Sequence, residues 1–335
     1  MAFWLCYNPV LILSMPFNLP ISPLQIIPEH PGNNLGISLF IKRDDLLHPE
    51  IQGSKGRKLA ALLPKIKQSH PGGLATFGGA FSNHLHAVAV AGRLFGIRTF
   101  GILRGEYVDL QNPTLRFCQE NGMTLRPMAN AQYDACKTQG EALLRDAFPQ
   151  CYFLPEGGNT PQALEACAAI PKEIETQLSQ KHPELSGQAH YLCTPAGTGC
   201  TAAGIVAGLV SPKSEVMIFP VSSHGFDGAN ILDLLAKTGR EGPEMESRFT
   251  INHEYTFGGF AKHHPPVIEF VRSFFQQTNI LLDPIYTAKM LFGVFDMLAK
   301  GDFAPNSTVV ALHTGGLQGW EGFSKRYGTG FLIDE

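Results

Sequence analysis

Apolar residues along this chain alternate between two spacings: short near-continuous runs, and stretches where they recur every three to four positions. Ile37 to Ile41 (ISLFI) reads as a strand that delivers the charged cluster Lys42-Arg43-Asp44-Asp45. Helical spacing follows through Leu59, Leu62, Leu63 and Ile66. After Gly72-Gly73 a strand is predicted over Leu74 to Phe77, then a helix with Leu85, Val88, Ala89 and Gly92 on its apolar face. Strands at Arg98 to Leu103, Met123 to Arg126 and Cys151 to Leu154 alternate with helices at Pro113 to Asn121 and at residues 138 to 148. A helix from about Pro161 to Gln180 is expected to kink or break at Pro171, because proline has no N–H for the helical ladder. Further strands are predicted at His190 to Thr194, Val216 to Val221, Thr250 to Tyr255 and Thr308 to Leu312. The helices between them run to Leu209, over 226 to 238, over 265 to 277, and from Ile285 to Lys300.

Strand and helix alternate throughout, which is the pattern of an α/β fold with parallel sheets covered by helices on both faces. One group of βα units comes early and one late, so the expectation is two open, twisted, mostly parallel sheets. They would belong to a small and a large domain with the site in the cleft between them. Sites in such folds lie at the carboxyl ends of strands. Four Gly-rich turns fall there, at residues 78 to 83, 155 to 159, 196 to 201 and 313 to 316. Convergence of four such turns is harder to explain by packing than any one of them.

Composition narrows the function. The chain has 335 residues, 44% hydrophobic and 16% charged, enough for a large core. A formal net charge of -3 gives no basic field and argues against nucleic acid as a partner. No apolar run approaches the roughly 18 residues of a membrane-spanning helix. Seven cysteines, with no C-x-x-C pair, suit a reduced cytoplasm. No Cys, His and carboxylate set completes a metal site around His84-Leu85-His86 or His263-His264, which read as satisfied polar histidines. Residues 1 to 29 are apolar and Pro-rich without a Lys or Arg, so the basic start of a secretory signal is missing. Met15 is a candidate second start, with residues 1 to 14 an upstream extension.

The chemistry centres on Lys42 to Leu59 (KRDDLLHPEIQGSKGRKL). Lys55 sits in a small-residue turn, Gly53-Ser54-Lys55-Gly56, which leaves room for close approach to a flat ligand. Arg57 and Lys58 would disfavour its ammonium form, and burial would add to that. A neutral amine condenses with carbonyls, making Lys55 a candidate Schiff-base lysine. Taken alone, the stretch reads more readily as a turn before a helix with solvated charges. Residues 196 to 201 (AGTGCT) open a helix after a strand, where amides and the helix dipole suit one phosphate monoester. The loop matches neither a P-loop nor GxGxxG, and a simple helix cap is the alternative. Ser82 and Asn83 stand at another strand-to-helix junction, either as N-caps or as ligand contacts.

Together these stretches resemble the 1-aminocyclopropane-1-carboxylate deaminase / D-cysteine desulfhydrase family of pyridoxal-phosphate enzymes, of the tryptophan-synthase-β-like superfamily and fold type II. The resemblance is carried, in the family's order, by KRDD with GSKGRKL (42 to 59), GGAFSNHLHAVAVAG (78 to 92), LPEGGNTPQAL (154 to 164), PAGTGCTAAG (195 to 204), DPIYTAK (283 to 289) and HTGG (313 to 316). It implies that Lys55 holds pyridoxal 5'-phosphate, that Asn83 bonds the ring hydroxyl, and that Gly197, Thr198, Gly199, Cys200 and Thr201 cradle the phosphate. Ser82 would hold the substrate carboxylate and Tyr286 would assist proton movement. Thr287 or Thr314 would meet the pyridine nitrogen, where cyclopropane deaminases carry a glutamate after the tyrosine. A hydroxyl is a weaker partner than a carboxylate, which suits elimination over ring opening.

The resemblance further implies a cofactor-binding domain of residues 1–52 and 160–335, a small domain of 53–159, and a homodimer. The chain departs from the family at Gly53-Ser54 before Lys55, at Cys200 for a glycine, and at Phe260, where a second tyrosine is expected. The implied reaction is a D-cysteine desulfhydrase-like α,β-elimination on a small amino acid. Alternatives are 1-aminocyclopropane-1-carboxylate deamination, a racemase or lyase for another amino acid such as D-serine, and cofactor binding without turnover.

Overall fold

A computed structural model describes residues 19–185, 188, 190–222 and 225–328. The expected extension over residues 1 to 14 lies outside them. The chain enters through β1 (Leu24–Ile27) and β2 (Ser38–Lys42), then α1 (Gly53–Ser69). It continues with β3 (Gly73–Gly78), α2 (Asn83–Phe95), β4 (Thr99–Arg104), α3 (Pro113–Glu120), β5 (Thr124–Met128), α4 (Asn130–Gln139) and β6 (Cys151–Leu154). Next come α5 (Pro161–Lys181), β7 (His190–Ala196), α6 (Cys200–Gly208), β8 (Glu215–Pro220), α7 (Gly228–Ala236), the single turn α8 (Pro243–Glu246) and β9 (Phe249–Ile251). The chain then forms α9 (Pro265–Thr278), α10 (Thr287–Lys300), β10 (Thr308–Leu312) and α11 (Gly319–Tyr327).

The strands make two sheets, in the orders β1-β2-β10-β7-β8-β9 and β5-β4-β3-β6. Every pairing is parallel except β1 with β2. The two-sided burial of parallel strands explains why they appear in the sequence as continuous apolar runs. Along β2, Leu39 and Ile41 face a core packed by α9 and α10, while Phe40 faces the core under α5 and α6. Along β10, Val309 and Ala311 take the first side, Val310 and Leu312 the second. In the smaller sheet Leu74 meets α1 and α2, and Ala75 and Phe77 meet α4 through Tyr133.

Two expectations change, and one strand appears that the apolar pattern does not predict. α5 runs unbroken through Pro171, which is buried on its apolar face. One lost ladder bond does not end a helix of 21 residues so closely packed on α6 that a Cβ on Gly208 would lie 2.0 Å from the Ala168 carbonyl oxygen. The helix expected at 138 to 148 lies earlier, as α4, where Tyr133 and Cys136 share a buried face. Leu144 and Phe148 keep helical spacing through a single backbone bond of 2.9 Å. The antiparallel β1 was not anticipated, because it is short, half-exposed and enclosed by Pro23 and Pro28.

Candidate active site

The residues 53–56 form the first turn of α1 rather than a turn before it. Gly53 has φ +64°, and a Cβ there would lie 1.7 Å from the carbonyl oxygen of Thr314. Glycine therefore lets the helix begin directly against the turn after β10. Lys55 and Lys58 are one helical turn apart, so they share a face. Both point at the carbonyl oxygen of Gly157, at 3.5 and 3.1 Å. Burial, then the neighbouring Lys58 charge, lowers the Lys55 pKa to about 7. What remains accessible of Lys55 faces a cavity rather than open solvent.

Arg57 does not take the part expected of it. Its guanidinium turns the other way and is neutralised by Asp44, at 2.7 and 2.8 Å, and by Glu173, at 2.6 and 2.9 Å. Glu173 also receives the buried Lys42 ammonium at 2.9 Å. Burial disfavours the Glu173 carboxylate, but the bonds from Arg57 and Lys42 outweigh it and lower its pKa.

A cavity of about 690 Å³ opens where the four Gly-rich turns meet. Lys55, Ser82, Asn83, Gly197, Thr198, Gly199, Cys200, Thr201, Tyr286 and Thr314 line it, so the turns converge as expected. Thr287 does not belong to this wall. It is fully buried, and its hydroxyl donates to Asp283 at 2.7 Å and accepts from the Asp283 amide at 2.9 Å. Asp283 in turn accepts from the amides of Ile285, Tyr286 and Thr287, which fixes the start of α10.

Ser82 is the N-cap of α2 and accepts from the Leu85 amide at 3.3 Å. Its own O–H stays available as a donor. Asn83 accepts from the Gln318 side-chain amide at 3.0 Å through Oδ1, leaving its Nδ2 to donate. Next to them His84 departs from the satisfied histidine expected. Thr76 Oγ1 donates to the Leu154 carbonyl at 2.8 Å, so it accepts at 2.8 Å from His84 Nε2–H. That places the ring proton on Nε2 and leaves the buried Nδ1 as an acceptor without a partner among the described residues. Burial, then Lys55 and Lys58, keep this imidazole neutral. His86 instead stacks on Phe117 with centroids 4.0 Å apart. Among the described residues no cluster suited to a metal ion occurs.

The β7–α6 loop presents amides without helical acceptors, as every helix start does. Gly199 is left-handed at φ +85° and has Phe226 3.0 Å from where a Cβ would be. The Thr198 hydroxyl is already used, donating to Asn159 Oδ1 at 2.9 Å, while Asn159 Nδ2 returns a bond of 3.3 Å to the Thr198 carbonyl. This clamp joins two of the four turns. Tyr286 packs over the loop, with its hydroxyl 3.3 Å from the place of a Gly197 Cβ. Burial, then Asp283, raise its pKa and keep it protonated. Phe260, 46% exposed, meets the Tyr286 ring edge-on at 5.9 Å.

These groups fit pyridoxal phosphate. A lysine with a lowered pKa, an amide donor at Asn83, a helix start whose loop carries glycine at 197 and 199 and a hydroxyl at Thr314 face one cavity. Lys58, expected as a charge beside Lys55, also lines the cavity, as do Gln318 and His84, which the sequence does not single out as site residues. For Lys58 the signal was present, since three-residue spacing from Lys55 puts both amines on one helix face.

Fold and site thus define an α/β enzyme whose cavity suits a phosphate-bearing cofactor. The chain belongs to the pyridoxal-phosphate dependent enzyme family, whose sequence profile matches residues 18–315. A protein of Pyrococcus abyssi (strain GE5 / Orsay), provisionally named 1-aminocyclopropane-1-carboxylate deaminase, is 28% identical over 311 residues, 89% of this chain and 90% of its own. The mitochondrial bifunctional D-cysteine desulfhydrase/1-aminocyclopropane-1-carboxylate deaminase of Arabidopsis thaliana is 27% identical over 303 residues, 86% of this chain and 75% of its own. The crystal structure of an ACC deaminase homologue superposes with a TM-score of 0.74 at 24% identity, covering 93% of this chain and 95% of that one, and shows the shared fold.

Proposed function

We propose that this chain is a pyridoxal-phosphate-dependent lyase that acts on a small amino acid, with D-cysteine the favoured substrate. In the elimination the Cα–H and Cβ–S bonds break and sulfide leaves. Water then converts the remaining enamine to pyruvate and ammonium. The observation that carries this reading is Lys55, a buried amine with a pKa of about 7, facing the cavity beside the loop that opens α6.

When bound, the cofactor supplies an electron sink for the charge that develops at the substrate Cα. Lys55 would hold the cofactor and would take the proton from the substrate Cα. Lys58 and the amides of 197 to 201 would bind phosphate, and Asn83 Nδ2 would donate to the ring hydroxyl. The Ser82 O–H would hold the substrate carboxylate. Tyr286, kept protonated, would give its proton to the departing sulfur.

Thr314 is the residue we assign to the pyridine nitrogen, since Thr287 is committed to Asp283. Asp283 lies close behind Gly316, but its oxygens already accept four hydrogen bonds. A hydroxyl at this place supports elimination over cyclopropane ring opening. The named relatives support 1-aminocyclopropane-1-carboxylate deamination as the second reading. The proposal includes a domain of residues 1–52 and 160–335 facing one of 53–159, a homodimeric assembly and a cytoplasmic location. Among the described residues no helix is long and apolar enough to cross a membrane.

Incubation with D-cysteine, L-cysteine, D-serine and 1-aminocyclopropane-1-carboxylate, with sulfide and 2-oxo acid assayed, tests the reading. Sulfide and pyruvate from D-cysteine, lost in Lys55→Ala, are expected. Release of 2-oxobutanoate from the cyclopropane alone would replace it with the second reading.

A further inference from the structure

Lys289 is 2% exposed and makes no direct ion pair among the described residues, Asp283 acting on it only through its field. Its ammonium donates instead to two backbone carbonyls, Thr256 at 2.7 Å and Gly259 at 2.6 Å. The loop it grips is held in an uncommon shape. Phe257, Gly258, Gly259 and Ala261 all have left-handed φ, at 48°, 78°, 112° and 52°. Non-glycine residues adopt that region only when their surroundings enforce it. The same loop carries Phe260 into the cavity wall, edge-on to Tyr286. Tyr286 and Lys289 are three residues apart at the start of α10 and so face the same way. One residue takes the ring of the loop and the other takes its backbone. A second anchor, Tyr327 of α11, donates to the Ala261 carbonyl at 2.9 Å.

We infer that Lys289 is a positioning residue: it fixes the 256–261 loop so that Phe260 closes the cavity over Tyr286 and sets the space left for the substrate side chain. A buried ammonium costs desolvation that an apolar residue would avoid, and here it ties together two carbonyls that otherwise accept only turn bonds within the loop, from the Gly259 amide to Thr256 at 3.0 Å and from the Lys262 amide to Gly259 at 3.4 Å. The inference rests on Tyr286 and Phe260 facing the substrate, not on which amino acid that is.

The test uses Lys289→Met and Phe260→Ala, singly and together, with Lys289→Gln as the replacement should the methionine protein not fold. Amide hydrogen exchange over residues 256–262 of the cofactor-free protein is expected to rise about tenfold in Lys289→Met, with the rest of α10 unchanged. Amino-acid affinity, read from the change in cofactor absorbance, is expected to weaken about tenfold in each single variant, and the double variant to match Phe260→Ala within about twofold. Unchanged loop exchange, or a Lys289→Met effect that persists in full without Phe260, would overturn the inference. The exchange measurement needs neither cofactor nor substrate. Inactivity toward D-cysteine would therefore sink the desulfhydrase reading and leave this one standing.

Discussion

Lys55 and Lys58 reach for one acceptor, the carbonyl oxygen of Gly157, from successive turns of the same helix. Burial, and after it the charge of the neighbouring Lys58, lowers the pKa of Lys55 to about 7. Between that value and its ordinary 10.5, Lys55 binds fewer protons folded than unfolded. Its burden on stability is therefore full below about 7 and lifts as pH rises toward 10.5. In cofactor-free protein, Lys55→Met should raise Tm at pH below 7 and lose that advantage as the pH approaches 10.5. Melting curves across this range check it, and a constant difference would mean the amine is not neutralised by its surroundings.

Gly53 and the Thr314 carbonyl occupy space that a side chain would need. Gly53→Ala puts a Cβ 1.7 Å from that oxygen and leaves φ at +64°. The α1 start or the 313–316 turn must then move, and both line the cavity. A loss of about 2 kcal/mol or more is expected in denaturant unfolding, together with weaker cofactor retention.

Thr287 and Thr314 should separate by phenotype. Thr287→Val leaves the buried Asp283 short of a donor, and about 1–3 kcal/mol of stability should go with it. Thr314→Val should leave stability nearly unchanged and instead shift the absorbance of the bound cofactor and lower kcat. Equal stability losses in both would show that Thr314 is as structural as Thr287.

The Arg57, Glu173 and Lys42 cluster anchors the helix that carries Lys55. Glu173 has a folded pKa below its ordinary 4.5, so the stability it lends is present above that value and is lost as pH falls through the folded pKa. Glu173→Gln should therefore lower Tm at neutral pH and converge with the parent protein in acid. Arg57→Ala strands the fully buried Asp44 carboxylate and should remove about 3–5 kcal/mol at neutral pH.

Much of this was legible in the sequence, for identifiable reasons. Parallel strands buried on both faces leave unbroken apolar runs such as those of β2 and β10, and glycines mark the turns that follow them. Lys55, Ser82, Asn83 and the 196–201 loop were readable because small residues and a lysine stood at strand-to-helix junctions. Local patterns did not show where a charge points. Arg57 looks like a neighbour of Lys55 in the chain, but its partner Glu173 is more than a hundred positions away. Thr287 reads as free for a ligand in the sequence, but in the fold Asp283 holds its hydroxyl. The lone Nδ1 of His84 depends on where Thr76 sends its proton, and Thr76 and Leu154 meet only through the pairing of β3 with β6.

The most direct test is reductive trapping. Purified protein loaded with pyridoxal phosphate is treated with borohydride, digested and mapped by mass spectrometry. A phosphopyridoxyl adduct on Lys55, absent from Lys55→Ala, is the predicted result. An adduct on Lys58 or Lys289 with Lys55 unmodified would contradict the placement of the cofactor on which the whole reading depends.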